Sequence, residues 1–148
     1  MKKDKYEILL VEDNPGDILL TQEAFSEVTV KNNLNVTEDG EAALDFLYKR
    51  NGYEDATTPD IILLDINLPK KNGFEVLEVV KSDAKLKSIP IIMLTSSESE
   101  KDIATCYALN ANSYEQKPVN IEIYDDAIKN ITQFWLNTAL LAVKIIEN

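Results

Sequence analysis

The 148-residue sequence contains no histidine and a single cysteine, Cys106. Without histidine, the chain has no Ser-His-Asp or Cys-His catalytic apparatus, no imidazole metal ligand and no histidine that can itself be phosphorylated. One cysteine forms neither an internal disulfide nor a thiolate metal cage. We therefore interpret Cys106 as a small buried apolar residue, with a redox switch as the alternative.

Positive charge is also scarce, because 15 lysines and arginines face 26 aspartates and glutamates, which gives a net charge of −11. A basic footprint is the minimum for nucleic-acid binding, and an anionic membrane surface repels such a chain. We therefore expect no nucleic-acid and no membrane partner. The sequence also lacks an apolar run long enough for a secretory signal or a membrane span, so we expect a cytoplasmic protein.

Apolar residues make up 45% of the chain and follow two alternating patterns. Short runs that are apolar throughout are typical of strands buried on both faces, and runs with helical spacing follow them. The expected strands are 8–11, 34–38, 60–65, 90–95 and 111–115, and the expected helices are 18–28, 42–49, 74–84, 96–109 and 120–147. This succession predicts an α/β fold: a flavodoxin-like, doubly wound five-stranded parallel sheet in the order 2-1-3-4-5, with helices on both faces. The length fits one domain, 1–148, with an extended C-terminal helix over 120–147.

Polar residues stand where the predicted strands end. Glu12 and Asp13 follow the first strand, Asp65 ends the third and Thr95 ends the fourth. Lys117 follows the fifth strand. Because the carboxyl ends of parallel strands share one edge of a sheet, and ligands bind where the strand order reverses, we expect these five residues to meet.

Three converging carboxylates repel one another unless they share a cation or a proton. Oxygen ligands without histidine or cysteine select a hard cation, and Mg²⁺ is the physiological candidate, with the backbone carbonyl of Asn67 completing the shell. Together with Lys117 and the Thr95 hydroxyl, these groups are the parts needed to receive a phosphoryl group. We expect Asp65 to attack phosphorus while Mg²⁺ and Lys117 stabilise the developing charge.

From about residue 8 to about residue 134, the chain resembles the receiver domain of two-component response regulators. The motifs that carry the resemblance are Asp65-x-x-Leu68-Pro69 followed by Gly73, and Lys117-Pro118 preceded by Tyr114. The resemblance implies that Glu12 and Asp13 hold Mg²⁺ and that a histidine kinase supplies the phosphoryl group of Asp65. Glu12 departs from the commonest family pattern, which has Asp at this position.

Further roles also come from the resemblance. It implies that Thr95 and Lys117 contact the phosphoryl group, that Tyr114 turns inward when Thr95 moves, and that the peptide bond before Pro118 is cis. The face made by the fourth helix, fifth strand and fifth helix then changes shape. Such a domain catalyses its own phosphorylation and dephosphorylation without being a turnover enzyme.

Finer detail resembles the stand-alone response regulators that are paired with phytochrome-type kinases. The supporting runs are 11–17, 51–56, 63–73 and 134–136. The resemblance implies kinase docking near Pro15, Gly16 and Leu20, and a homodimer through the fourth helix, fifth strand and fifth helix. Since no effector domain is expected, output must come through protein contacts.

The last predicted helix carries more apolar residues than one buried stripe needs. The stripe expected in the core is Ile121, Tyr124, Ile128, Ile131 and Trp135, and the surplus is Phe134, Leu136, Leu140, Leu141, Val143, Ile145 and Ile146. A large exposed apolar patch usually marks an interface. We therefore expect these surplus residues of the C-terminal tail to contribute to the homodimer interface. The alternative is that the tail packs on its own domain.

Three other functions fit parts of the sequence. A haloacid dehalogenase-type phosphatase also uses an Asp nucleophile with Mg²⁺, but it needs a second Asp two residues later, where this chain has Asn67. A receiver-like binding module that is never phosphorylated would be favoured by loss of Asp65, Thr95 or Lys117, and all three are present. A flavodoxin-like cofactor binder needs a glycine-rich phosphate loop after the first strand, and only Pro15-Gly16 stands there.

Overall fold

The structure is a computed structural model that describes residues 4–139 and 141. Strands and helices alternate along the chain. In order, they are β1 (Tyr6–Val11), α1 (Pro15–Glu27), β2 (Asn32–Thr37), α2 (Gly40–Tyr48), β3 (Ile61–Leu64), α3 (Gly73–Ser82), β4 (Ile91–Thr95), α4 (Glu100–Ala108), β5 (Ser113–Gln116), α5 (Ile121–Thr132) and a π-helical segment (Gln133–Thr138).

The five strands form one parallel sheet in the order β2-β1-β3-β4-β5, which confirms the predicted topology. The register aligns the strand ends that matter for the site. Val11 of β1 is paired with Leu64 of β3, so the residues that follow both strands lie side by side. Thr95 of β4 is paired with Gln116 of β5, which places Lys117 at the same edge.

Each face of the sheet has its own hydrophobic core. Leu9, Ile62 and Met93 point to the face covered by α2, α3 and α4. Their neighbours Ile8 and Ile61 point to the opposite face, which α1 and α5 cover. Strand side chains alternate between faces, and both faces are buried, which explains why these strands are apolar throughout.

Side-chain caps determine where the helices begin. Asn14, Asp39, Asn72, Ser99 and Asn120 each accept a hydrogen bond from a backbone N–H of the helix that follows. Such caps satisfy N–H groups that have no partner within the helix. The fourth helix therefore begins at Glu100, after the Ser99 cap, and the prediction that it begins at 96 is wrong.

The C-terminal helix is shorter than predicted. After Thr132 the chain continues as a π-helical segment that ends at Thr138, and the backbone of Ala139 is extended. Leu136 of this segment and Ile131 of α5 are both buried in the core shared with α1. Leu141 packs against the same core. The predicted continuation over 142–148 lies outside the described residues.

The predicted core stripe is buried in its middle, half-buried at Trp135 and exposed at its start. Tyr124, Ile128 and Ile131 are buried, whereas Ile121 is 66% exposed. Ile121 is the first residue after the Asn120 cap, where the helix has only begun to approach the sheet. Cys106 is fully buried, and burial raises the pKa of its thiol to about 11, which agrees with the interpretation as a core residue.

Among the described helices, none combines the length and the apolar character that crossing a bilayer requires.

Gly73 allows α3 to begin directly against the end of β3. A Cβ atom at this position would lie 2.2 Å from the carbonyl oxygen of Asp65 and 2.7 Å from Cα of Ile66. Gly16 occupies a similar first-turn position in α1, but a Cβ atom there would approach only the Asn14 side chain, at 3.3 Å.

We predict that Gly73→Ala lowers the free energy of unfolding by about 1–3 kcal/mol, because the backbone on both sides of the clash must shift. The matched variant Gly16→Ala gains helix propensity without a backbone clash, so its stability stays within about 1 kcal/mol of the unchanged chain. Urea unfolding of both variants measures the difference. Equal stabilities would contradict the tight packing of α3 on β3.

Candidate functional site

Three carboxylates converge at the edge of the sheet where β1 and β3 end. Glu12, Asp13 and Asp65 each place an oxygen within 4.8 Å of the other two. Asp13 is exposed, whereas Glu12 and Asp65 are buried. The sequence prediction that these residues meet is therefore correct in its geometry.

Backbone amides orient the two buried carboxylates. Glu12 Oε2 accepts hydrogen bonds from the N–H groups of Asp13 and Asn14, each at 3.1 Å. Asp65 Oδ1 accepts one from the N–H of Ile66 at 2.7 Å. Each side chain thus has one oxygen held by the chain that follows its strand, and its second oxygen is directed to another partner.

That second partner is Lys117, whose side chain is only 8% exposed. Its ammonium group forms ion pairs with Glu12 Oε1 and, at 3.0 Å, with Asp65 Oδ2. The backbone N–H of Lys117 donates to the carbonyl of Thr95 at 2.7 Å, so the lysine continues the pairing of β4 with β5. The lysine predicted from its position after the fifth strand lies at the centre of the site.

Asp17 is a site residue that the sequence analysis missed. Its Oδ2 lies 3.0 Å from Nζ of Lys117, on the side of the lysine that faces α1. The only signal for it in the sequence is its position in the Asn14-Pro15-Gly16-Asp17 run, which is typical of a helix start. An acidic residue in the first turn of a helix is so often favoured by the helix dipole that its second role was not apparent.

The pKa values of Glu12 and Lys117 are shifted by burial and by the excess of carboxylates around them. Burial, assisted by the nearby Asp65 carboxylate, raises the pKa of Glu12 to about 7, although Lys117 acts in the opposite direction. Burial alone would lower the pKa of Lys117, but the carboxylates of Glu12, Asp65 and Asp17 outweigh it and raise that pKa. The lysine is therefore charged at neutral pH, and the site has room for more positive charge.

Among the described residues, Thr95 and Tyr114 form no side-chain hydrogen bond with the carboxylate cluster. Thr95 is fully buried at the end of β4, and no hydrogen bond among the described residues joins it to the carboxylates. The Tyr114 hydroxyl donates to the carbonyl of Ser97 at 2.8 Å, and its ring is half-buried. The aromatic ring is thus tied to the loop that follows Thr95, and the switching role of Tyr114 stays a prediction.

Two further predicted features differ in their outcome. The structure contains no cis peptide bond among the described residues, so the expected cis bond before Pro118 is wrong. A trans bond is the lower-energy form before proline unless its surroundings impose the alternative, and Lys117 reaches all three of its carboxylate partners with a trans bond. Asn67 is exposed in the loop after β3, and the role of its carbonyl as a metal ligand stays a prediction.

The donor set suits a hard divalent cation. Its ligand atoms are carboxylate oxygens, and magnesium, calcium and manganese prefer such ligands over nitrogen or sulfur. Glu12, Asp13, Asp17 and Asp65 carry four carboxylates, while Lys117 supplies one positive charge to them. A cation bound by Glu12, Asp13 and Asp65 would relieve this imbalance.

The sequence pattern of the response regulator receiver domain matches residues 8–129, and the chain belongs to that family. Within the family it is similar to the response regulator Rcp1 of Synechocystis sp., with 42% identity over 134 residues, 90% of this chain and 91% of Rcp1. The chain is therefore a receiver-domain response regulator close to the phytochrome response regulators.

Solved structures agree with this assignment. The fold matches that of the phosphorylated cyanobacterial phytochrome response regulator RcpA with a TM-score of 0.91 and 44% identity, covering 94% of this chain and 99% of RcpA. It matches the Mn²⁺-bound form of Rcp1 with a TM-score of 0.89 and 40% identity, covering 93% of this chain and 99% of that structure.

We predict that Lys117→Met lowers the free energy of unfolding by about 3 kcal/mol at pH 7 in the presence of EDTA, because it leaves buried carboxylates without their positive partner. The loss should shrink as the pH falls. A carboxyl group whose pKa is higher in the folded than in the unfolded state favours folding at low pH, and that contribution is lost as the pH rises through the folded value.

The matched control is Lys129→Met, which removes an exposed lysine paired with Asp125 at 2.7 Å. Exposed ion pairs contribute little, so this variant should unfold at nearly the same urea concentration as the unchanged chain. Urea unfolding at several pH values between 5 and 8 measures both variants. A loss in Lys117→Met that is no larger than in the control, or that does not depend on pH, would contradict the buried cluster.

Proposed function

We propose that this chain is a stand-alone response regulator that accepts a phosphoryl group on Asp65 in a Mg²⁺-dependent reaction. The observation that carries the proposal is the Asp65 carboxylate, buried beside Glu12 and Asp13 with its Oδ2 3.0 Å from Nζ of Lys117. A carboxylate nucleophile, a cation site and a fixed positive charge are the elements of phosphoryl transfer. That Rcp1 has been solved with Mn²⁺ and RcpA in phosphorylated form supports both halves of the proposal.

The chemistry is an exchange of one bond for another at phosphorus. An oxygen of ionised Asp65 forms a P–O bond while the bond between phosphorus and the imidazole nitrogen of a donor phosphohistidine breaks, and the imidazole leaves with the bonding electrons. Mg²⁺, when bound by Glu12, Asp13 and Asp65, would supply charge for the phosphoryl oxygens. The ammonium of Lys117 is positioned to pair with one of them.

Phosphorylation would act on Tyr114 through the loop that follows β4. If the Thr95 hydroxyl moves to donate to the phosphoryl group, the backbone at Ser97 moves with it. The 2.8 Å hydrogen bond from the Tyr114 hydroxyl to the Ser97 carbonyl would then break, which frees the ring to move. The half-buried position of Tyr114 suits a ring with two packing arrangements.

A histidine kinase, of phytochrome type given the relatives, is the proposed donor. Docking at Pro15, Gly16 and Leu20 is supported by their place on α1, the helix that carries Asp17, where Pro15 and Gly16 are exposed and Leu20 is half-buried. The chain itself is not proposed to be a turnover enzyme, and its cytoplasmic location stays a prediction.

Output is proposed to pass through contacts of the face made by α4, β5 and α5, with a homodimer as the resulting state. Large apolar side chains are exposed on or near this face, including Tyr107, Val119, Ile121 and Ile123. Exposed apolar groups at this density suit a protein interface. Most of the tail that was expected to contribute lies outside the described residues.

The alternatives are less well supported. A phosphatase of the haloacid dehalogenase type needs a second acid two residues after Asp65, and the exposed Asn67 occupies that position. A module that is never phosphorylated does not require Asp65 and Lys117 to be buried together, because such a pair costs desolvation energy.

The test is intact mass measurement after incubation with Mg²⁺ and a small acyl or amide phosphodonor. We expect one phosphoryl group per chain, stable in acid and labile in base, and no adduct in Asp65→Asn or with EDTA. Asp60→Asn is the matched control, because Asp60 is equally buried and precedes the same strand at its opposite end. An unchanged adduct in Asp65→Asn, or none in the unchanged chain, would overturn the proposal.

A further inference from the structure

Lys117 and a divalent cation would compete for the same carboxylates. An ammonium group has three N–H donors, and those of Lys117 face Glu12, Asp17 and Asp65. Glu12 and Asp65 also belong to the three-carboxylate cluster that suits a metal. A cation that binds there therefore competes with the lysine for these two carboxylates.

Asp17 is the one partner of Lys117 that stands outside that cluster. Among the described residues, the group with mutually close ligand oxygens consists of Glu12, Asp13 and Asp65. Asp17 approaches the lysine from α1 instead, and its side chain is 28% exposed. The contact between Asp17 and Lys117 can thus persist when the other two contacts of the lysine are lost.

The backbone of Asp17 is held in place by contacts within α1 and with α5. Its N–H donates to Oδ1 of the Asn14 cap at 3.0 Å, and its carbonyl accepts from the Thr21 hydroxyl at 2.7 Å. The hydroxyl of Thr21 has one hydrogen, which it donates to the carbonyl of Asp17. The buried Tyr124 hydroxyl, 2.8 Å away, is therefore the donor to Thr21 Oγ1. These hydrogen bonds link the first turn of α1 to α5 and hold the backbone of Asp17 in place.

We propose that Asp17 is a positioning residue that holds the Lys117 ammonium on the α1 side of the site while a divalent cation occupies Glu12, Asp13 and Asp65. This inference rests on the proposed function. Without Asp17, the lysine has only Glu12 and Asp65 as partners, and its attraction to them opposes metal binding directly. With Asp17, the lysine keeps a partner when the metal arrives and remains beside Asp65, where a phosphoryl oxygen would need it.

The test is a double-mutant cycle on Mg²⁺ affinity, measured by isothermal titration calorimetry with metal-free protein. Asp17→Asn in the otherwise unchanged chain should weaken Mg²⁺ binding about tenfold, which is within the range of couplings between contacting residues. In a Lys117→Met background the same substitution should weaken binding about threefold or less, since only the field of one carboxylate is then lost. Lys117→Gln replaces Lys117→Met if the latter does not fold.

Two further variants separate positioning from charge. Asp125→Asn removes a carboxylate of similar exposure that pairs with Lys129, and it should leave the Mg²⁺ affinity within about twofold. Asp17→Glu keeps the charge and can still reach the lysine, so it should restore most of the affinity that Asp17→Asn loses.

The outcomes distinguish this inference from the proposed function. If the unchanged chain binds no Mg²⁺, the proposed function fails and the inference fails with it. If Mg²⁺ binds, but Asp17→Asn weakens Mg²⁺ binding by the same factor with and without Lys117, the Asp17 carboxylate acts only by its negative charge and not by holding the lysine. That result overturns the inference and leaves the proposed function intact. A larger effect in the presence of Lys117, with rescue by Asp17→Glu, supports it.

Discussion

The buried ammonium of Lys117 is the constraint on which the functional edge of this protein depends. It lies between carboxylates from the ends of β1 and β3 and from the first turn of α1, and it is 52 residues from Asp65 and 100 from Asp17 in the sequence. Burying charges is costly unless each has a partner, so the position of the lysine and the positions of Glu12 and Asp65 determine one another. One lysine among four carboxylates still leaves the site short of positive charge, which is why a divalent cation is its proposed occupant.

The rest of the fold brings these charged side chains to the same edge of the sheet. Parallel pairing aligns Val11 with Leu64, and the runs 8–11, 61–64 and 91–94 of the three central strands are apolar and buried, so the polar site residues come where these strands end. The close approach of Gly73 to the backbone of Asp65 lets α3 begin immediately beside that carboxylate. The two hydrophobic cores thus stabilise the fold, while the charged residues of the site lie together at one edge of the sheet.

The topology and most of the site could be predicted because they depend on simple patterns. Doubly buried strands leave a strong apolar signal, and polar residues directly after such strands must gather at one edge. Asp17 could not be assigned, since the direction in which its side chain points depends on how α1 docks against α5. The end of the last helix at Ala139 also depends on packing, because a π-turn that buries Leu136 has no counterpart in an apolar pattern based on α-helical spacing. The conformation before Pro118 is set by its surroundings rather than by proline alone.

The most direct test of the account is a crystal structure of the chain with Mg²⁺ and beryllium fluoride, which mimics a phosphoryl group on a carboxylate. The account predicts beryllium bonded to a carboxylate oxygen of Asp65, the metal on Glu12, Asp13 and Asp65, and Lys117 displaced from Glu12 but still within hydrogen-bonding distance of Asp17. Lys117 still paired with Glu12 and Asp65 in a site without metal, or beryllium fluoride on a different residue, would contradict it.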